Sequence, residues 1–187
     1  MRLRMGITRR KTIALLVPVA LLALAALVAA PTFADEGRSF RATLTGYEEV
    51  PSVSTAASGS FRAQLSTDGT TLSYELTYGN IQNAVAAHIH LGQPGVIGGV
   101  SAFLCGGGGQ ELCPLTGGTV TGMITAANVT GPAVQGIAGI AAGEFDELVA
   151  AMRAGFTYAN VHTSTGGDSV PTGPGDLPVG EIRGQIK

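Results

Sequence analysis

The sequence has little of several residue types on which specialised folds depend. Among its 187 residues there is no tryptophan, and there are only two cysteines and three histidines. Scaffolds held by many disulfides and large metal clusters need more of these residues, so both classes are excluded. A chain of this length predicts one globular domain with an appendage, since domains typically contain about 100–150 residues.

The basic residues are concentrated at the N-terminus, which predicts an export signal. Five of the eleven Lys and Arg residues lie in the first eleven positions, and an apolar run follows from Ile13 to Ala30. This order is typical of a signal peptide with small residues near the cut, so we predict a signal over residues 1–34 and a mature domain over 35–187. An uncleaved membrane anchor stays open, because about 18 apolar residues are close to the minimum for a span. General and twin-arginine export also both stay open.

Basic residues are scarce in the predicted mature part, which makes nucleic acid an unsuitable partner. Removing residues 1–34 takes away five of the eleven basic side chains and none of the thirteen acidic ones, which leaves a formal charge of −7. A duplex-binding protein needs clustered basic side chains to neutralise phosphates, and the six that remain are dispersed along the sequence. We expect contact with a membrane only through the N-terminal segment, if that segment is not cleaved. The mature protein is expected to be secreted, periplasmic or on the cell surface.

Short segments of alternating apolar and polar residues predict an all-β fold. The eight predicted strands are 39–44, 59–65, 71–78, 86–91, 100–104, 118–125, 156–162 and 179–186. The Asp68-Gly69 pair predicts a hairpin turn between the second and third strands, because both positions tolerate positive φ. One short crossover helix is predicted at 144–154, with its apolar residues on one face. Together these elements predict an antiparallel β-sandwich or a Greek-key barrel.

Two glycine-rich loops stand out between the predicted strands. Cys105 and Cys113 flank the first, and outside the cytosol two cysteines at this spacing predict a disulfide. A thiolate metal site or a redox pair would need a closer spacing or further cysteines. The second loop, 165–178, is rich in Gly and Pro and is predicted to be a mobile surface loop.

No catalytic residue is predicted. The glycine runs lack the strand and helix context of nucleotide-binding loops, and no serine lies in a nucleophile elbow. The adjacent carboxylates Glu48 and Glu49 would face opposite ways on a strand, so they cannot act as a glycosidase pair. The sequence therefore predicts a protein that is not an enzyme.

The histidines form the one candidate site. On a strand His88 and His90 point to the same face, about 7 Å apart, while Ile89 faces the core. His162 follows a core-type valine on another predicted strand, so the three imidazoles would share one outer face if the two strands are neighbours. Three imidazoles suit Cu, Zn or Ni, and a shared ion requires ring nitrogens within about 3–4 Å of one another. The alternative is that the histidines are hydrogen-bonded sheet residues that fix the adjacent loops.

Two carboxylates, Glu181 and Glu49, are further candidates for this site. Glu181 and Arg183 share a face opposite Ile182, so Glu181 could accept a hydrogen bond from a histidine, bind a metal, or pair with Arg183. Glu49 is a weaker candidate for the same roles. The ion pair with Arg183 is the simplest interpretation of Glu181.

Four ordered motifs resemble the CHRD domain, a module repeated in the extracellular antagonist chordin and found singly in many secreted bacterial proteins. They lie at 44–51 with 55–59, at 87–95, at 158–163 and at 180–185, so the resemblance covers about residues 39–187. It implies an immunoglobulin-like β-sandwich and implies little about activity. The Cys105–Cys113 loop and the long stretch 163–178 depart from the family's pattern.

The strand around His88 and His90 is also reminiscent of the copper-binding strand of copper/zinc superoxide dismutase. That enzyme needs more histidines than this chain has, so its activity is excluded. The favoured hypothesis is a secreted or cell-envelope module that is not an enzyme and binds an extracellular protein or surface component. The alternative is a copper or zinc protein whose ligands are His88, His90 and His162.

Overall fold

Eight antiparallel strands form one sheet in the computed structural model, which describes residues 37–131, 139–166 and 173–187. The strands are β1 Ser39–Thr45, β2 Ser58–Leu65, β3 Leu72–Gly79, β4 Ala84–Leu91, β5 Gly99–Cys105, β6 Gly118–Ile124, β7 Thr157–Thr163 and β8 Ile182–Gln185. The helix α1 spans Phe145–Arg153, and short 3-10 turns lie at Gly46–Glu48 and Ala126–Asn128. The predicted strands and helix are confirmed to within a few residues at their ends.

The sheet is ordered β5-β4-β7-β8-β1-β2-β3-β6. The predicted hairpin joins β2 to β3, and the Asp68 carboxylate closes its turn by accepting hydrogen bonds from Ser66 Oγ and Thr70 N. The two edge strands, β5 and β6, also contact each other, so the sheet curls into a nearly closed barrel. The predicted all-β class is therefore confirmed.

Alternating burial explains why most of these segments are strands. In β1 and β3 every second side chain is buried, and the intervening ones face solvent. The buried set includes Leu44, Phe61, Leu72 and Leu76, each with no exposed area. One face of α1 packs into the same core, and each side chain of this size that is fully buried contributes about 1.5–3 kcal/mol.

Strand β7 differs because it is buried on both faces along its whole length. Its core face carries Ala159 and Val161, while the other face carries Tyr158, Asn160 and His162. Segments 92–98 and 173–180 supply backbone groups that bond to side chains on this second face. The face that the strand pattern predicted to be an outer one is therefore covered by loops.

The predicted surface position of the loop 165–178 is wrong for residues 175–177, which are buried. Asp176 and Leu177 are buried, at 4% and 8% exposure. Backbone N–H groups of this segment donate to buried side chains, from Gly175 to the Glu181 carboxylate and from Leu177 to Thr163 Oγ1. Polar residues in the surrounding strands thus hold a stretch whose composition is typical of the surface. Residues 167–172 lie outside the described part of the chain.

The predicted disulfide between Cys105 and Cys113 is present, with 5.1 Å between the Cα atoms. The predicted signal segment, residues 1–34, lies outside the described residues. Within the described part of the chain no helix is both long and apolar enough to cross a membrane.

Candidate metal centre

The pairing of β4 with β7 brings the three histidines together. In this register His88 lies opposite Asn160, and His162 lies opposite Ala86, two residues before His88. His90 lies on the same face of β4, opposite Tyr158. Since residues two apart on a strand share a face, all three imidazoles project from one side of the sheet. The exposed fractions of these histidines are only 6–9%.

The ring nitrogens converge. The Nε2 atoms of His90 and His162 are 3.4 Å apart. One ring nitrogen from each of His88, His90 and His162 lies within 4.8 Å of those of the other two. Two nitrogens at about 2.1 Å from one ion can be at most about 4.2 Å apart, so nitrogens at the limit of this cluster must move closer together for all three to bind one ion.

Backbone carbonyls fix the tautomers of two of the rings. Nδ1 of His90 lies 3.0 Å from the carbonyl oxygen of Gly98, and Nδ1 of His162 lies 2.9 Å from that of Pro178. A carbonyl oxygen can only accept, so each Nδ1 carries the proton and donates it. In a neutral imidazole the other nitrogen, Nε2, then carries a lone pair.

Two lone pairs therefore face each other across the 3.4 Å between His90 and His162. No hydrogen bond can join them, because neither Nε2 has a proton to donate. A metal ion resolves this arrangement, since two nitrogens bound to one tetrahedral ion at about 2.0–2.1 Å are about 3.3–3.4 Å apart. Metal-ligating histidines also typically donate their other N–H to a carbonyl, as both of these do.

His88 supplies a further unsatisfied nitrogen. Its Nδ1 atom is buried and has no hydrogen-bond partner. Buried polar atoms normally have a partner, and an orphaned one calls for an explanation such as an ion. The edge-on contact of the His88 ring with Phe103, at 4.5 Å between ring centroids, closes this side of the cluster with an apolar group.

Burial keeps the histidines neutral. It lowers the pKa of His88 to about 2 and that of His90 to about 3, with repulsion from the neighbouring imidazoles as a smaller cause. Burial also lowers the pKa of His162. The free protein therefore offers uncharged imidazoles at neutral pH, which is the form that binds a metal.

Aromatic and cationic groups flank the cluster. The ring of Tyr158 is stacked on that of His90, at 4.7 Å between centroids and 6° between planes. The guanidinium of Arg183 lies over the Tyr158 ring, on the strand at the other side of β7. The sequence pattern gave no indication of these stacking contacts, because they depend on the order of strands in the sheet.

Glu181 is placed away from the histidine nitrogens. Its carboxylate accepts hydrogen bonds from Thr55 Oγ1, Thr163 Oγ1 and the N–H of Gly175, at 2.7–2.8 Å. It anchors the segment before Pro178, whose carbonyl in turn accepts from His162. Glu181 therefore affects His162 indirectly, through the backbone of the segment that ends at Pro178.

Glu49 lies near the cluster without joining it. Burial raises the pKa of this carboxyl to about 7, although the positive charge of Arg183 and a hydrogen bond from Asn160 act in the opposite direction. Its Oε1 atom and the Oδ1 atom of Asn160 are both buried without a hydrogen-bond partner. A Cβ atom added to Gly180 would lie 2.5–2.6 Å from these two atoms, so only glycine leaves room for them.

The centre is largely shielded from solvent, because the three histidines are only 6–9% exposed. The arrangement can hold one ion through three neutral nitrogens in a dry setting.

Comparison with known proteins agrees with this fold. The family model described as the CHRD domain matches residues 40–186. No curated protein and no solved structure matches the chain. The CHRD family is not known for enzymatic activity, and its domains are of extracellular type. The match spans most of the sequence and contains all four motifs that suggested the resemblance, so the chain belongs to the CHRD domain family.

Proposed function

We propose that this protein is an exported CHRD module that binds one copper or zinc ion through His88, His90 and His162 and is not itself an enzyme. The observation that carries the proposal is the pair of facing Nε2 lone pairs, 3.4 Å apart, on His90 and His162. An ordinary hydrogen-bonded cluster would place a proton between two such nitrogens. Here both protons are committed to carbonyl oxygens, and an ion is the group that satisfies the facing nitrogens.

The closed setting supports binding without catalysis. Catalytic metal sites keep a coordination position open to water or substrate, whereas structural sites are closed. All three histidines are at least nine-tenths buried. This favours a site that holds its ion over one that presents the ion to a substrate.

Export is supported by the disulfide and by the N-terminal sequence. A bond such as Cys105–Cys113 persists in oxidising compartments outside the cytosol. The basic residues followed by the apolar run from Ile13 to Ala30 are typical of a signal peptide. Edman sequencing or intact mass of the protein recovered outside the cytoplasm tests cleavage after Ala34.

Metal titration of the untagged protein tests binding. After removal of metal with a chelator, the protein is titrated with Cu(II), with Cu(I) under anaerobic ascorbate, and with Zn(II), and retained metal is counted after gel filtration. We expect one ion per chain and a rise in melting temperature, because a ligand of the native state stabilises it. If none of the ions is retained and the melting temperature does not move, the proposal is wrong.

Two variants locate the ion. His162→Leu removes one ligand and should abolish stoichiometric binding. Thr157→Val is the matched control on the same strand, because Thr157 is fully buried and its hydroxyl has no partner, yet it does not belong to the cluster. Retention of the ion in the control and its loss in the ligand variant support the site. If the His162 variant does not fold, the titration of the unaltered protein still decides the proposal.

A second candidate function is docking to an anionic component of the cell surface. Arg41 on β1 lies directly opposite Arg62 on β2, and both side chains are exposed. Like charges directly opposite each other destabilise a sheet. Neither side chain makes a hydrogen bond or ion pair within the described residues. Both line two neighbouring depressions of about 760 and about 370 Å³. Glu75, opposite Arg62 on β3, and Glu48 also line these depressions, and an anion held between the two guanidinium groups would offset their repulsion.

Charge reversal tests this second candidate. The double variant Arg41→Glu/Arg62→Glu should lose salt-sensitive binding to isolated cell envelopes and keep its melting temperature. Arg153→Glu changes the charge at the end of α1, away from these depressions, and serves as the control. An equal loss in both proteins would contradict a specific site.

A further inference from the structure

We infer that the ion for which this centre is built is Cu(I) and that Zn(II) binds there more weakly. The inference rests on the proposed function, because it names the ion of the same site. Three properties of the cluster support it: the number of ligands, the exclusion of water, and the charge of the surroundings.

The ligand set is one short of what zinc requires. Zinc in proteins is almost always four-coordinate, either with four protein ligands or with three and a water. Among the described residues the cluster consists of three histidines, with no carboxylate or cysteine in the group. Both cysteines are consumed by the Cys105–Cys113 disulfide, so no thiolate is available. Cu(I), a monovalent ion with a filled d shell, is satisfied by three ligands in a plane.

The observed nitrogen spacing is compatible with such a planar site. Three nitrogens at about 2.0 Å from an ion in their plane are about 3.5 Å apart. The His90 and His162 Nε2 atoms are separated by 3.4 Å. An ion in this plane would lie between the imidazole rings of the three histidines.

The packing around the cluster disfavours a water molecule at a fourth position. Phe103 packs edge-on against the His88 ring, and Tyr158 stacks on the His90 ring. The three histidines are only 6–9% exposed. A divalent ion would therefore have to give up its hydration shell without a replacement ligand, which is costlier for a higher charge.

A positive charge beside the cluster disfavours a second positive charge on the ion. The Arg183 guanidinium covers the Tyr158 ring, and that ring is stacked on His90. Its repulsion of a bound ion is twice as large for a divalent as for a monovalent ion.

Three carboxyls lie on the elements packed around the cluster. Glu181 accepts three hydrogen bonds, and Asp176 accepts one from the N–H of Thr165. Burial raises the pKa of Glu49 to about 7, so this carboxyl is only partly ionised at neutral pH.

Competition titrations of the untagged full chain test the choice of ion. Cu(I) affinity is measured anaerobically against bathocuproine disulfonate, and Zn(II) affinity against a chromophoric zinc chelator. We expect one Cu(I) per chain, bound at least about tenfold more tightly than Zn(II). X-ray absorption of the copper form should give three nitrogen neighbours at about 2.0 Å and no fourth ligand.

The outcomes separate this inference from the proposed function. Tighter binding of Zn(II), or a four-coordinate copper spectrum, overturns the inference and leaves a metal-binding protein. Failure to bind either ion overturns both.

A pair of variants separates the charge of Arg183 from its contacts. Arg183→Leu removes the positive charge together with the hydrogen bonds to the loop 92–98, whereas Arg183→Lys disturbs those bonds and keeps the charge. The ratio of Cu(I) to Zn(II) affinity should therefore be several-fold lower in Arg183→Leu than in the wild type and in Arg183→Lys. Arg153→Leu removes an exposed charge at the end of α1 and should leave the ratio unchanged. An unchanged ratio in Arg183→Leu would overturn the argument from charge. If that variant does not fold, the wild-type affinities and spectrum still decide the inference.

Discussion

The guanidinium carbon of Arg183 lies 3.4 Å from the centre of the Tyr158 ring. Its two terminal nitrogens donate hydrogen bonds to the carbonyl oxygens of Val96 and Gln93, at 2.9 and 3.0 Å. This one side chain thus ties β8 to the loop 92–98. The same loop ends at Gly98, whose carbonyl orients the His90 ring.

Replacement of Arg183 by lysine should loosen that loop and weaken the metal centre. Lysine keeps the charge but cannot stack its head group in the same way or bond two carbonyls as a planar fork. We expect a loss of about 1–3 kcal/mol in unfolding free energy, measured with denaturant. Affinity for Cu(I) and Zn(II) should fall together by about tenfold, the scale expected when the partner of a ligand histidine is disturbed.

Arg41→Lys is the control for this substitution, because the Arg41 side chain is exposed and makes no hydrogen bond within the described residues. If Arg183→Lys matches the wild type in both stability and affinity, the guanidinium does not hold the loop.

Acid should destabilise the metal-free protein. The unfolded chain protonates its histidines near pH 6.5, whereas burial lowers the folded pKa of His88 to about 2 and of His90 to about 3. The contribution of the neutral histidines to stability is therefore fully present above pH 6.5 and is lost as pH falls below that value. Below pH 6.5 the free energy of unfolding falls by about 1.4 kcal/mol per pH unit for each neutral histidine, and so by about 4 kcal/mol per unit for the three.

Urea unfolding in the presence of chelator at pH 7.5, 6.5 and 5.5 measures this effect. His88→Leu should reduce the slope by about one third, because one of the three groups no longer titrates. A free energy of unfolding that stays constant from pH 7.5 to 5.5 would contradict neutral burial of the histidines.

Glu49 should give a pH dependence of the opposite sign. Its folded pKa of about 7 lies above the ordinary value of 4.5, so the protonated carboxyl stabilises the protein below pH 4.5. That contribution is lost as pH rises towards 7. Relative to the wild type, Glu49→Gln should gain about 2 kcal/mol of unfolding free energy between pH 5.5 and 7.5. Glu48→Gln, at the exposed neighbouring position, is the control and should show no such gain.

The local part of the fold and the site could be predicted from the sequence, and the non-local part could not. Alternation of apolar and polar residues gives the strands, and the two-residue spacing gives the shared face of His88 and His90. Convergence with His162 depends on β4 lying beside β7, a pairing between segments about seventy residues apart. No short-range pattern specifies such a pairing, because it depends on the packing of the whole sheet.

The burial of the site could not be predicted from the sequence for a similar reason. The stretch 173–178 is rich in Gly and Pro, and such composition is typical of exposed loops. It is buried because Glu181 and Thr163 offer oxygen acceptors to its backbone N–H groups. The sequence pattern made Glu181 a candidate partner of a histidine or of Arg183, whereas its carboxylate accepts hydrogen bonds from Thr55, Thr163 and Gly175. The sequence shows that a carboxylate is present and cannot show which groups surround it.

The disulfide should slow the exchange of the bound ion as well as stabilise the fold. Cys105 and Cys113 bracket a loop whose backbone packs on the Phe103 ring, since a Cβ added to Gly107 or Gly108 would lie 2.6 Å from a ring carbon. Phe103 in turn packs against His88. Opening the loop frees Phe103 to move and uncovers that side of the cluster.

Replacement of both cysteines by serine should therefore cost about 2–3 kcal/mol of unfolding free energy, the loop-closure value for a ring of this size. The rate at which bathocuproine disulfonate removes Cu(I) should rise several-fold, because Phe103 no longer shields His88. Thr157→Val again provides the control, as a buried change that leaves the Phe103 contact in place. A copper release rate equal to that of the wild type, in a double-serine variant that is measurably less stable, would show that the loop stabilises the fold without closing the centre.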